Sequence, residues 1–125
     1  MRITSMHVKR LGWLGVRTER FDEMVGLLRD VMGVSLELEE PGRAMFTLAN
    51  GDPVDVFHTS VDRYEMFTTG PVVGFVVDDV ELGAGELAQA GVEVFEVQRG
   101  DGFMWAHFRG PDGNIYELQS TDPPS

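Results

Sequence analysis

The stretches RAMFTLANGDPVDVF, Arg43–Phe57, and WAHFRGPDGNIYELQ, Trp105–Gln119, decide how this chain folds. Laid over one another at a constant separation of 62 residues (43 against 105), they match Ala44 with Ala106, Phe46 with Phe108, Gly51 with Gly113 and Asp55 with Glu117. Each reads as a strand, a Gly-containing turn and a second strand, the pattern of a β-hairpin. A carboxylate stands at the matched position of both second strands.

The repeat extends upstream. LGWLGV (Leu11–Val16) and VVGFVV (Val72–Val77) are β-type runs, 61 residues apart when Leu11 is set on Val72. A helix follows each. The first is predicted to start near Thr18 as N-cap, to bury Phe21, Met24, Val25, Leu28 and Met32 on one face, and to stop at Gly33. The second is predicted to start at Asp79, to bury Val80, Ala84 and Leu87, and to stop at Gly91, with Gly83 and Gly85 each weakening it by nearly ~1 kcal/mol relative to alanine. VSLELEE (Val34–Glu40) and VEVFEVQ (Val92–Gln98) then read as strands. Each half is therefore strand, helix, strand, strand, strand. One such half cannot bury both its helix stripe and its sheet face, so the halves are expected to pair. The predicted class is α+β: a single domain, 1–125, of two βαβββ modules (about 8–58 and 71–120) joined by the polar linker 59–70.

Composition narrows the function. A chain of 125 residues suits one domain with a real core. Absence of cysteine removes disulfides, thiolate metal sites and cysteine nucleophiles, and is consistent with a cytoplasmic setting. The net charge of -11 opposes binding to a phosphate backbone, so no nucleic-acid partner is expected. No apolar run reaches the length of a membrane span, and MRITSMHVKR lacks the apolar core of a signal peptide. The nine arginines to one lysine lean toward a GC-rich bacterial genome. Neither a phosphate loop nor a serine or threonine nucleophile signature is present.

A tandem βαβββ repeat with PDGNIYEL (Pro111–Leu118) resembles the vicinal oxygen chelate superfamily, which includes glyoxalase I, extradiol dioxygenases, fosfomycin-resistance proteins, methylmalonyl-CoA epimerase and bleomycin-binding proteins. The resemblance covers roughly residues 8 to 120. It implies two curved sheets forming a cup with helices outside, and commonly a homodimer. Metal-dependent members take ligands from the first strand of each half and a carboxylate from the last. On that pattern Glu117 matches the second-half carboxylate and Asp55 the first. The first-strand slots fall on Leu11 and Val72, neither of which can bind a metal.

By the same resemblance, His107, ten residues before Glu117, faces the cup. Strand alternation then places Trp13, Met45, Asp55, Phe57, Val72, Phe103, Trp105, His107, Ile115 and Glu117 on the ligand-facing side, with Gly74, Val76 and Gln119. Leu14, Val16, Phe46, Val56, Phe75, Val77, Phe108, Tyr116 and Leu118 are expected to pack under the helices. His7 reads as a terminal, exposed histidine. His58, an odd number of residues from Asp55, belongs on the opposite face. Arg17, Arg20 and Arg109 could meet anionic ligand groups, with surface ion pairing the expected role for each.

Two functional readings follow. The first is a metal-independent small-molecule-binding protein, taking an aromatic or cationic organic ligand against Trp13 and Trp105. No cofactor is expected on this reading. The second is a glyoxalase-like lyase, isomerase or dioxygenase acting on an oxygenated small molecule, with Glu117 and His107 as the catalytic acid or base. A divalent metal in that case would rest on the non-standard set Asp55, His107 and Glu117. An emptied cup serving as a regulatory or scaffolding domain is a third possibility.

Overall fold

A computed structural model of the protein describes residues 6–68 and 70–124. The chain is mixed α+β, with nine strands and two short α-helices among the described residues. It divides into two compact units, Trp13–Val72 and Met1–Gly12 with Val73–Ser125. Thr69, in the predicted linker, lies outside the described residues, as do residues 1–5 and 125 at the ends of the predicted domain.

In the first unit β1 (Arg10–Thr18) leads to α1 (Phe21–Gly26), then β2 (Ser35–Glu40), β3 (Arg43–Thr47) and β4 (Pro53–His58). The strands lie in the order β2-β3-β4-β1, with β2-β3 and β3-β4 antiparallel and β4-β1 parallel. Phe21, Val25 and Leu28 pack on Ala44, Phe46, Val54 and Val56, with Leu14 and Met24 at the margin. The strand parity expected for Leu14, Phe46 and Val56 is therefore the observed one.

Two details of the first helix differ from expectation. It starts at Phe21 with Arg20 as N-cap, and Thr18 instead accepts a bond from the Arg20 N–H through Oγ1 at 3.0 Å. After Gly26 the helix widens into a π turn, Leu27–Val31, in which the Met32 N–H reaches the Leu27 carbonyl at 2.9 Å. An i→i+5 bond adds a residue to the turn and shifts the phase of everything after it. Met32 consequently points outward, 61% exposed, rather than joining the buried face.

In the second unit β5 (Val72–Val76) enters from the unit boundary. It is followed by α2 (Val80–Gln89), β6 (Glu93–Val94), β7 (Gln98–Gly100), β8 (Phe103–Arg109) and β9 (Ile115–Thr121). The order is β5-β9-β8-β6, with β7 also on β8. The single strand predicted over Val92–Gln98 is thus two short strands sharing one partner. Between them the Phe95 N–H still bonds the His107 carbonyl at 2.8 Å. Val77, Val80, Met104, Ala106 and Leu118 form the core, with Phe75, Leu87 and Phe108 packed against it. Asp79 caps α2 as predicted, its Oδ1 accepting from the N–H groups of Glu81 (3.0 Å) and Leu82 (3.3 Å). Gly83 has a packing reason: a Cβ there would lie 3.0 Å from Leu118 Cδ1, so its absence lets the helix close onto β9.

The turn of GPDGNIYELQS is organised by Asp112. Its Oδ1 accepts from the Asn114 N–H (3.1 Å), and its Oδ2 accepts from Asn114 Nδ2 (3.1 Å) and Tyr116 Oη (2.5 Å). An Asx turn of this kind replaces backbone pairing where the chain reverses.

Two outcomes follow from these caps. Replacing Asp79 by alanine removes the acceptor of both N–H groups at the start of α2 and costs about 1 kcal/mol, measured by chemical denaturation; no loss would show that the cap contributes nothing. The Tyr116 hydroxyl, followed by the Asn114 N–H, holds the Asp112 carboxyl below its ordinary value, and Asp112 raises the Tyr116 phenol. The Asp112 contribution is therefore present above the ordinary carboxylate value and lost as pH falls through the lowered one. The Tyr116 contribution is lost as pH rises through the raised phenol value. Carboxyl NMR titration should find the Asp112 midpoint depressed, and Tyr116→Phe should move it back up; an unmoved midpoint would refute the assignment.

Candidate functional site

The register of the hairpins puts the two carboxylates in equivalent places. Asp55 on β4 lies opposite Met45 on β3 and Gly15 on β1. Glu117 on β9 lies opposite His107 on β8 and Gly74 on β5. Gly15 therefore corresponds to Gly74, a separation of 59 residues (15 against 74), in place of the 61 taken from LGWLGV and VVGFVV. A shift of two residues leaves strand alternation intact, so periodicity could not detect it. The residue of the first half that corresponds to Val72 is Trp13. Leu11, expected in that slot and facing inward, is 58% exposed.

In the first unit Trp13 folds its ring over Gly15, where a Cβ would lie 2.1 Å from the indole. The fold brings Nε1 to Asp55 Oδ2, to which it donates at 3.2 Å. Arg43 Nη2 lies 4.0 Å from the same oxygen and donates to Met45 Sδ at 3.0 Å. Asp55 is buried, so the indole N–H and the nearby guanidinium offset the loss of its water. Trp13 also meets Phe57 and Phe67, with centroids 6.4 and 6.3 Å apart. Tyr64 packs on Phe57 at 4.0 Å and on Phe67 at 5.3 Å.

Tyr64 and Phe67 come from the segment read as a polar linker. A short 3₁₀ turn, Asp62–Tyr64, directs both rings onto the sheet, and Phe67 is buried. Sequence reasoning missed them because isolated aromatics in a polar run carry no periodicity. Their separation of three residues is the only available signal.

In the second unit Glu117 divides its two oxygens. Oε1 lies 3.3 Å from His107 Nε2, and Oε2 accepts from Gln119 Nε2 at 2.9 Å. Both His107 and Glu117 are buried. Trp105 is opposite Gln119, and Phe103 opens the same face, 55% exposed. Ile115 and Val72 are fully buried. A carboxylate bonded by an amide, with an imidazole nitrogen 3.3 Å away and an indole on the same face, can accept or return a proton and can hydrogen-bond a polar ligand group.

The remaining sequence candidates fall elsewhere. His7 is exposed. His58 closes β4, its Nδ1 accepting from the Ser60 N–H at 3.0 Å. Arg20 pairs with Glu23, and Arg109 with Glu93 at 3.4 Å, but Arg17 meets no carboxylate among the described residues and donates to the Thr59 carbonyl at 2.9 Å. A cleft of about 630 Å³ lies beside the start of α1 and the β2–β3 turn; Arg20 and His58 line it, and none of the residues expected to face the ligand does.

A chain with this architecture and a paired carboxylate hairpin in each repeat belongs to the Glyoxalase/Bleomycin resistance protein/Dioxygenase superfamily, whose family model matches residues 10–118. The fold is that of a glyoxalase from Novosphingobium aromaticivorans that binds Mn(II) (TM-score 0.71, 20% identity, 92% of this chain and 40% of that one). It is also that of methylmalonyl-CoA epimerase from Mycobacterium tuberculosis (TM-score 0.66, 16% identity, 94% and 91%). A superfamily member from Vibrio splendidus is similar as well (TM-score 0.66, 15% identity, 88% and 97%). No curated protein sequence matches the chain.

The residues present do not fit the metal that some relatives carry. The two first-strand positions hold Trp13 and Val72, which offer no lone pair to a cation. Asp55 is engaged by Trp13. Among the described residues no group of three or more His, Asp or Glu side chains converges.

The close approach at Gly15 is testable. Gly15→Ala drives a methyl into the indole and displaces Trp13 from Asp55, with an expected cost of about 1–3 kcal/mol from overpacking. Chemical denaturation and the Trp13 fluorescence spectrum, read against a Trp105→Phe background, report both effects. An unchanged spectrum would place the ring elsewhere.

Proposed function

We propose that this protein binds a small organic molecule, aromatic or cationic, without a metal. The observation that carries this reading is the buried Glu117, with one oxygen on His107 and the other on Gln119, beside Trp105. A flat ring can stack on Trp105 and Phe103 while Glu117 or His107 takes a polar or cationic group. Trp13, Met45, Asp55 and Phe57 stand on the equivalent face of the first repeat and are proposed as its ligand-facing residues. The acidic net charge of -11 suits a cation better than a polyanion. Solved relatives include methylmalonyl-CoA epimerase in complex with methylmalonyl-CoA, which supports a small-molecule role in general terms. No helix is long and apolar enough to cross a membrane. A homodimer in a bacterial cytoplasm completes the proposal, on the family habit, the arginine-rich composition and the lack of cysteine.

The His107–Glu117 contact also favours a second reading. An imidazole and a carboxylate 3.3 Å apart form a competent acid–base pair. They could move a proton on an oxygenated substrate in a lyase, isomerase or dioxygenase-type reaction.

The test is a screen of aromatic and cationic compounds against metal-stripped protein, followed by tryptophan fluorescence, with Glu117→Gln alongside. Saturable binding without metal, weakened about tenfold or more in the variant, is the expected result. Binding that requires about one divalent ion per chain, with ion and ligand both lost in Glu117→Gln, would overturn metal independence. Turnover of a bound compound, abolished by His107→Gln, would establish the second reading.

A further inference from the structure

Gln119 is held on several sides. Its backbone carbonyl accepts from the Val77 N–H at 2.9 Å. In register it lies opposite Val76 on β5 and Trp105 on β8. Its side chain fills space that Gly12 leaves open: a Cβ on Gly12 would lie 3.0 Å from Gln119 Cδ and closer still to Oε1. Gly12 belongs to the same compact unit as β8 and β9. Any side chain at position 12 would therefore expel the amide from its seat.

That seat fixes the sense of the amide. With Oε1 over Gly12, Nε2 faces Glu117 and donates to Oε2 at 2.9 Å. The reverse orientation would set a carbonyl oxygen against a carboxylate oxygen, acceptor against acceptor. An amide N–H only donates, so Oε2 is held as an acceptor, and the carboxylate is pinned with Oε1 3.3 Å from His107 Nε2. The pair Trp105 and Gln119 adjoins the pair His107 and Glu117 on the same face, about 7 Å along the strands. Trp105 and Gln119 are half-buried, while Glu117 is buried. A ring on the Trp105 indole, with a polar group on a short arm, spans that distance.

We propose that Gln119, seated over Gly12, is the positioning residue that fixes Glu117 as an acceptor, and that the site takes an aromatic amine whose N–H groups donate to that carboxylate. The inference rests on the reading of Glu117 as the ligand-binding carboxylate. It narrows the ligand from any aromatic or cationic compound to one whose cationic group carries a hydrogen-bond donor. A quaternary ammonium has the same charge and no N–H, so it meets the pinned oxygen through charge alone and forgoes the charge-assisted bond.

The test uses the full chain. Without ligand, NMR compares water exchange of the Gln119 side-chain amide with that of the exposed Gln89. The bonded Gln119 proton should exchange about tenfold or more slowly, and Gly12→Ala, which leaves the amide in the chain but takes its seat, should erase the difference. Exchange as fast as that of Gln89 in the wild-type protein would overturn the positioning role. Binding of benzylamine and of benzyltrimethylammonium, both cations at neutral pH, is then read by tryptophan fluorescence. The wild-type protein should prefer benzylamine by about tenfold or more. Gln119→Leu and Gly12→Ala should make the two affinities nearly equal. A residue that only supports the fold would lower stability without moving this ratio, so an unchanged ratio in either folded variant overturns the proposal. Binding of neither amine would instead overturn the reading of Glu117 as the ligand-binding carboxylate, and the ligand-free exchange still decides whether Gln119 positions it.

Discussion

Pairing between the last two strands of each repeat positions everything else on the sheet face turned away from the helices. Once Met45 lies opposite Asp55 and His107 opposite Glu117, the next row outward is Arg43 with Phe57 in one unit and Trp105 with Gln119 in the other. The parallel first strand then brings a glycine, Gly15 or Gly74, against the carboxylate residue. A slip of one residue in either hairpin would send the carboxylate under the helix and an apolar residue to the opposite face. Turn chemistry guards against this, most visibly at Asp112, whose carboxylate gathers Asn114 and Tyr116.

On one repeated pattern of strands the two units carry different chemistry. In the first, the carboxylate is held by an indole and faced by a guanidinium, and four aromatic rings gather beside it. The indole comes from the first strand and the carboxylate from the fourth, so a direct N–H to carboxylate bond ties the two ends of the module together. In the second, the carboxylate keeps an imidazole and an amide and no rigid cation.

Much of this was legible in the residues. The 62-residue echo of the hairpins defined strands, turns and the matching of Asp55 with Glu117, because turn glycines and strand alternation are local properties. The cap at Asp79 and the stop at Gly91 are local as well. The pairing of the first strands was misjudged by two residues, since alternation looks the same after such a shift. Met32 left the buried face because a π turn intervened, and nothing in LLRDV announces one.

The sequence by itself determined the architecture: repeated alternation, glycine turns and caps act within a few residues of one another, and they suffice to specify strand, helix, hairpin and family. Only the tertiary structure decided the chemistry. Trp13 reaches Asp55 across 42 residues of sequence, Tyr64 and Phe67 fold back onto Phe57, and Arg17 and Arg43 meet the same residue from two strands. Those contacts depend on strand register and on the path of an irregular segment, which are settled by packing between distant parts of the chain and leave no periodic trace in it.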